Sequence, residues 1–284
     1  MKRNLLTLAC IVALACACSS EIPIGKSLSR WNEFGVESMI EHHKNGIEYI
    51  EVTMKNVIGK DTAGVRERAA HLKAQIDSAG FKVWSVHMPY SRQWDISAID
   101  SAKRADAVRL MQDIVNIASI FKPKNVVIHP SSGPTSPEER EEKLNNSRES
   151  IGQIAPCVKE IGATLCVENL PRSGLGQNGQ EMMFLIKGID NVGICFDVNH
   201  LLYQSHENFL KSIEKNTIKT VHLSDYDFID ERHLLPGSGQ IDWQPLWDGI
   251  RKNGYNGIMM FECYGEPKDF KHARAIITGS MSNQ

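Results

Sequence analysis

Asn125-Val126-Val127-Ile128-His129 is the stretch on which the fold of this chain turns. Three β-branched residues follow one another with no polar residue between them, and a histidine closes the run. A strand with one wet face alternates apolar and polar residues. Near-continuous apolar runs mark parallel strands covered on both faces. Comparable short runs occupy residues 22–26, 47–53, 82–87, 164–168, 193–197, 220–223 and 257–262. Between them lie longer segments of helical periodicity, at 35–45, 62–79, 102–121, 137–161, 180–189, 207–216, 243–253 and 268–277. Gly80 stops the second of these and Lys122-Pro123 the third. Ser136-Pro137-Glu138-Glu139 opens the fourth, and Gly162 ends it. Strand and helix alternate eight times, and no Pro/Gly/Ser linker divides the chain. This predicts an α/β protein built as a single (β/α)8 TIM barrel. A doubly wound open sheet is the alternative, but no G-x-G-x-x-G follows the first strand.

Working outward, composition limits the class. The chain has 284 residues, 42% apolar and 23% charged, as expected of a globular protein. A disordered, collagen-like or multi-pass membrane protein is excluded. A formal charge of −2 argues against a nucleic-acid binder, which carries a basic surplus. Lys2 and Arg3 precede an apolar run over residues 5–17. That run is too short to span a membrane and long enough for a signal peptide. It leads into Leu14-Ala15-Cys16-Ala17-Cys18-Ser19-Ser20, which resembles a bacterial lipoprotein signal. Residues 1–18 are therefore expected to be the signal and 19–284 the barrel. Cys18 is the expected lipidated residue, with Cys16 as the alternative, and an ordinary cleaved signal is the competing reading. Loss of Lys2 and Arg3 takes the formal charge from −2 to about −4. The expected location is the bacterial cell envelope, with membrane contact only through the lipid. Cys157, Cys166, Cys195 and Cys263 lie in apolar segments and read as small buried hydrophobes. A Cys166–Cys195 bridge between neighbouring strands is the alternative.

Active sites of such barrels form at the carboxyl ends of the strands. Here those ends carry Glu51, His87, His129, Glu168, Asp197 with His200, His222 and Glu262, and His233 follows in a loop. One carboxylate at a strand end usually sits in a solvated loop. Four successive strands ending in Glu168, Asp197, His222 and Glu262 are different, because their side chains converge on one axis. Unpaired, they would be costly to bury. A divalent cation satisfies them together, and a carboxylate-rich oxygen and nitrogen set suits Mn²⁺ first, then Mg²⁺, Co²⁺ or Zn²⁺. The competing reading is a structural polar network. Glu51 reads equally as a substrate contact or a salt-bridged rim residue. Trp31, Trp84, Trp94, Trp243 and Trp247 are candidates for sugar stacking, with Trp84 and Trp247 expected in the core. Asn169 and Asn199 are candidates to orient the site or to bond backbone. Asp242 is expected to cap the helix that begins at Trp243.

Glu168, Asp197, His222 and Glu262, with Asp197-Val198-Asn199-His200 and Pro236-Gly237-Ser238-Gly239-Gln240-Ile241-Asp242-Trp243, resemble the sugar phosphate isomerase/epimerase family of xylose isomerase-like barrels. The resemblance covers nearly all of residues 19–284. It implies that the four residues are metal ligands and that Glu168 and Glu262 also move the proton α to a carbonyl. It implies that His200 contacts a substrate oxygen. His233 stands where ketose epimerases carry an arginine, a departure from the pattern. His87, His129, His200, His233 and Glu51 complete the expected substrate-binding set. Endonuclease IV, in the same superfamily, has a trinuclear zinc site, and His87, His129, His200 and Glu231-Arg232-His233 lie at comparable places. The export signal, the acidic charge and the lack of a basic stripe oppose a nuclease.

The resemblance thus implies an enzyme that isomerises or epimerises a neutral sugar or keto sugar through an enediolate, since sugar phosphates stay in the cytoplasm. A keto-sugar dehydratase or hydratase on the same barrel is the alternative, and a non-catalytic carbohydrate-binding lipoprotein is a third reading. The expected partner is a small sugar, without nucleic acid. Homo-oligomerisation is compatible with the sequence.

Overall fold

Period-two alternation along buried strands sends one set of side chains inward and the other toward the helices. The computed structural model describes residues 21–31, 35–59 and 63–280, so the expected signal at 1–18, with Cys16 and Cys18, lies outside the described residues. The strands are β1 (Ile24–Ser27), β2 (Ile47–Thr53), β3 (Lys82–His87), β4 (Asn125–Ile128), β5 (Thr164–Glu168), β6 (Val192–Asp197), β7 (Ile218–His222) and β8 (Met259–Phe261). They form one eight-stranded sheet in the order β7-β6-β5-β4-β3-β2-β1-β8, and all the paired strands are parallel. A parallel bridge between Leu223 and Phe261 joins its two ends, so the sheet curls into a nearly closed barrel. The open-sheet alternative is thereby excluded.

The outer helices are α1 (Val36–Lys44), α2 (Met54–Ile58), α3 (Val65–Ser78), α4 (Ser101–Ala118), α5 (Arg140–Glu160), α6 (Gly179–Ile186), α7 (His206–Ser212), α8 (Trp243–Lys252) and α9 (Asp269–Thr278). The short α2 follows β2 directly and has no counterpart in the sequence pattern. Helix α5 begins at Arg140 rather than Pro137. The residues before it form a turn in which Ser136 Oγ accepts the Glu139 N–H. None of the described helices is long and apolar enough to cross a membrane.

The barrel interior is layered. Trp84, Ile258 and Met260 fill the amino-terminal end, with Tyr49 packed against them. Val127, Cys166 and Cys195 form the middle layer. Two residues further along their strands stand His129, Glu168 and Asp197, so the same alternation that buries the middle layer lifts the polar groups to the carboxyl end. Val126, Ile128, Leu165, Val167, Ile194 and Phe196 belong to the main core shared with the helices. Cys166 and Cys195 are buried free thiols, so the disulfide alternative does not form. Cys157 is also free but only half-buried.

One cation is stored outside the barrel. Lys26 is fully buried, with its Nζ 3.3 Å from the Gly265 carbonyl and over the rings of Trp31 and Phe270. Burial pushes its pKa down from 10.5 to about 8, against the pull of nearby acidic groups. A folded-state pKa below the unfolded value means that the unfolded chain binds more protons between those limits. Stability should therefore rise with pH from about 8 to 10.5. Lys26→Met is expected to gain about 1–3 kcal/mol at pH 7 and to flatten that rise. Urea unfolding at pH 7 and pH 10 checks this, and an equal pH dependence in variant and parent would contradict it.

Candidate metal centre and active site

The loop after β7 is organised by a residue the sequence reading did not single out. Asp225 is fully buried. Its Oδ1 accepts the N–H groups of Tyr226 and Ile241, and its Oδ2 accepts those of Gly237 and the Trp243 indole. A Cβ on Gly239 would lie 2.3 Å from Asp225 Oδ1, which explains the glycine in Pro236–Gly239. The Pro-Gly-Ser-Gly stretch is thus wrapped around a carboxylate. Asp242 does occupy the N-cap position of α8, but its side chain makes no cap hydrogen bond.

Above the middle layer, Glu168, Asp197, His222 and Glu262 come together with one potential ligand atom each, all within 4.8 Å of one another. His222 is central. Its Nδ1 lies 3.2 Å from Glu168 Oε1, 3.2 Å from Glu262 Oε2 and 3.7 Å from Asp197 Oδ2. Asn169 clamps the end of β6. Its amide donates to the Asp197 carbonyl at 2.9 Å, and its oxygen accepts the Asp197 N–H at 2.8 Å. Asp197 Oδ1 accepts the Asn199 N–H, while Asp197 Oδ2 is buried without a hydrogen-bond partner. That orphaned oxygen beside His222 Nδ1 fits a cation. So does the donor set of three carboxylates and one imidazole.

Two further groups adjoin the first. Glu168 Oε2 faces His87 Nε2 at 3.0 Å and His129 Nε2 at 3.1 Å, so the two oxygens of Glu168 serve different neighbours. His200, Glu231 and His233 form the other group. His200 Nδ1 donates to the Asn169 carbonyl, and its Nε2 lies 3.2 Å from Glu231 Oε2. His233 Nδ1 donates to the Glu262 carbonyl at 2.9 Å. Each of the three groups has the residue types to hold a cation.

Charge compensation shapes the titration. Burial opposes protonation of His87, His200 and His222, but the carboxylates outweigh it. Glu168 raises His87 to about 9. Asp197, Glu231 and Glu168 raise His200 to about 10. His222 is raised well above its usual value, facing Glu51, Glu168 and Glu262. Burial wins at His129, whose pKa falls. Glu168 and Glu262 lie below the usual carboxylate range despite burial, held there chiefly by His222. The His200 hydrogen bond takes Glu231 to about 2.

A cavity of about 420 Å³ opens above this centre, a size suited to a small molecule. Glu168, Glu262, His87, His129, His200 and His233 all line it, as the strand-end reading expected. Glu51 does not. It is fully buried under His222, with its Oε2 3.0 Å from His222 Nε2 and accepting from Ser85 Oγ at 2.7 Å. It is neither an exposed rim residue nor part of the cavity wall. Among the described residues no tryptophan lines the cavity, and an aromatic face is supplied by Tyr90, stacked on His129 with centroids 4.2 Å apart. Arg30 and Arg92 also line the cavity, and Ser29 Oγ donates to Glu262 Oε1 at 2.9 Å. Ser29, Arg30 and Arg92 lie in single 3-10 turns and Tyr90 in a loop, positions that carry no strand-end signature in the sequence. A larger groove of about 1060 Å³ runs outside the barrel beside α7 and α8, away from these groups.

Comparison with known proteins agrees with the fold. Residues 41–279 match the family described as xylose isomerase-like TIM barrel. An uncharacterized protein of Methanocaldococcus jannaschii is 25% identical over 185 residues, covering 62% of this chain and 63% of that protein. An inosose dehydratase of Lacticaseibacillus casei is 23% identical over 145 residues, covering 44% of this chain and 48% of the dehydratase. The chain therefore spans only about half to two thirds of these relatives' lengths. Among solved structures, a D-tagatose 3-epimerase-like protein superposes with a TM-score of 0.73 at 20% identity, covering 92% of this chain and all of that one. The 3-keto-D-glucoside 4-epimerase of E. coli superposes with a TM-score of 0.71 at 16% identity, covering 91% of this chain and 99% of that one. An IolI protein with a bound zinc atom gives 0.72 at 14% identity, covering 93% of this chain and all of that one.

Proposed function

Because the chain belongs to the xylose isomerase-like TIM barrel family, we propose that it is a metal-dependent carbohydrate isomerase or epimerase that works by α-proton transfer on a sugar or keto sugar. The observation that carries this reading is the buried Glu168–Asp197–His222–Glu262 group open to a sugar-sized cavity. Glu168 and Glu262 come from non-adjacent strands, with Asp197 and His222 between them in barrel order. They can therefore approach a bound sugar from two sides. One carboxylate takes the proton α to the carbonyl and keeps it, and the other, after picking up a proton from solvent, delivers that second proton to the opposite face; exchange with water then resets both. Ser29 holds Glu262 in place, and His87 and His129 hold Glu168. Glu168, Asp197, His222 and Glu262 would hold a divalent cation, Mn²⁺ being the first candidate, which would supply Lewis-acid polarisation of the carbonyl. His200 and His233 bind substrate oxygens. Substrates met outside the cytoplasm are neutral, and the proposal includes export and lipid attachment at Cys18, supported by the pattern of residues 1–20. Incubation of Mn²⁺-loaded protein with free and keto sugars tests the reading. Interconversion of epimers or of aldose and ketose is expected.

A dehydratase or hydratase is the second reading. It is favoured by the inosose dehydratase relatives and by His233, a cavity residue beside Glu262. Elimination needs an acid for the departing hydroxyl, and an imidazole there provides one. In that case His233→Ala lowers turnover by about 10²-fold or more while cation binding persists. Full turnover in the variant would remove the assignment. A non-catalytic sugar-binding role predicts instead that Glu168→Gln retains ligand affinity and that the parent shows no turnover.

A further inference from the structure

We propose that Glu51 is a positioning residue for the cation centre, locking the His222 ring so that Nδ1, not Nε2, is offered as the ligand atom. This rests on the metal reading of the centre given above. The ring has two faces of hydrogen bonding. Nδ1 points at Glu168, Asp197 and Glu262, and Nε2 points away from them at Glu51 Oε2, 3.0 Å off. A neutral imidazole carries one N–H. A carboxylate at Nε2 is acceptor-only, so it fixes the proton on Nε2 and leaves the Nδ1 lone pair for a cation.

The carboxylate reaches this position through the pleat. Ile50 and Val52 belong to the core shared with the helices, so Glu51 between them points into the barrel from β2. It meets a histidine from β7 on the far side. Ser85 on β3 pairs with Glu51 in the sheet and donates to the same oxygen at 2.7 Å, which fixes the carboxylate's own rotation. Glu51 Oε1 has no partner, and the residue is fully shielded from solvent. Burying a carboxylate so sparsely hydrogen-bonded is expensive for a fold that needs only packing there. A ligand N–H made more acidic by a cation is the partner that repays it, and such outer carboxylates typically contribute 10–100-fold to metal affinity. Glu51 lies outside the cavity wall, so it touches no substrate and acts only through His222.

The test is titration of the full chain with Co²⁺, followed by its visible absorption, with no substrate present. Glu51→Gln is expected to weaken Co²⁺ binding 10-fold or more and to shift the absorption bands, with the melting temperature of the metal-free protein within a few degrees of the parent. Ser85→Ala should weaken binding a few-fold in the same direction. Should Glu51→Gln fail to fold, Ser85→Ala decides alone. Affinity within twofold of the parent in the folded variant overturns the proposal, as does a Glu51→Gln loss that merely follows a lower metal-free melting temperature while Ser85→Ala binds normally. A parent that binds no Co²⁺ overturns the metal reading itself, a failure distinct from that of Glu51.

Discussion

Glu168→Gln is expected to lower turnover, and the exchange of a substrate α-proton with solvent, by about 10³-fold or more. Glutamine keeps the size of the side chain and one oxygen for a cation. It cannot take or return a proton. The loss goes beyond one contact, because the two oxygens of Glu168 serve two groups, His222 on one side and His87 with His129 on the other. The amide nitrogen would have to face one of them and break that set. Single-turnover kinetics with the metal-loaded variant measure this. A residual rate within tenfold of the parent would show that another group moves the proton.

Removing the cation is expected to have an effect of similar size. Dialysis against a chelator should take turnover below about 1% of the loaded protein, with Mn²⁺ restoring it. A cation at a hundred times its Kd adds about 2.7 kcal/mol of stability, so the melting temperature should rise by roughly 5–10 °C on loading. The pH dependence follows from the histidines. His222 is raised well above its usual pKa in the metal-free chain and is therefore protonated at neutral pH. A cation must displace that proton, so affinity should rise with pH and fall as the solution is acidified. Affinity that stays flat between pH 6 and pH 9 would contradict a centre built on His222.

Much of this architecture was readable from residues alone, for a physical reason. A (β/α)8 barrel writes its strands as apolar runs and its active site as the polar residue that ends each run. Asn125–His129, Thr164–Glu168 and the run ending in Asp197 therefore announced both fold and site. His87, His129, Glu168 and Glu262 reach one cavity because period two and parallel pairing aim the strand ends there, and His200 and His233 join them from the segments that follow β6 and β7. Glu51 obeyed the same rule but came to rest one layer lower, under His222. It pairs with Ser85, two residues before His87, because β2 runs on to Thr53 at the level of His87. The level at which neighbouring strands end is set by their pairing, which spacing within one strand does not carry. Asp225 was passed over for a related reason. Its four donors come from Tyr226, Gly237, Ile241 and Trp243, a turn geometry that forms only once the loop has closed. The tryptophans are taken up by packing, Trp84 inside the barrel at its amino-terminal end and Trp31, Trp94, Trp243 and Trp247 against the main core, whereas Tyr90 lies in a loop over the mouth.

In the proposed function, Glu168 and Glu262 move a carbon-bound proton at a cation centre. Solvent deuterium incorporation addresses it most directly. The Mn²⁺-loaded full chain is incubated in D₂O with a panel of free and keto sugars, and deuterium at the carbon α to the carbonyl is read by NMR. Incorporation into at least one of these sugars is expected, lost in Glu168→Gln and on chelation. Net conversion to an unsaturated or hydrated product would assign the dehydratase or hydratase reading within the same chemistry. A chain that binds the sugar and the cation yet exchanges no proton would contradict the account.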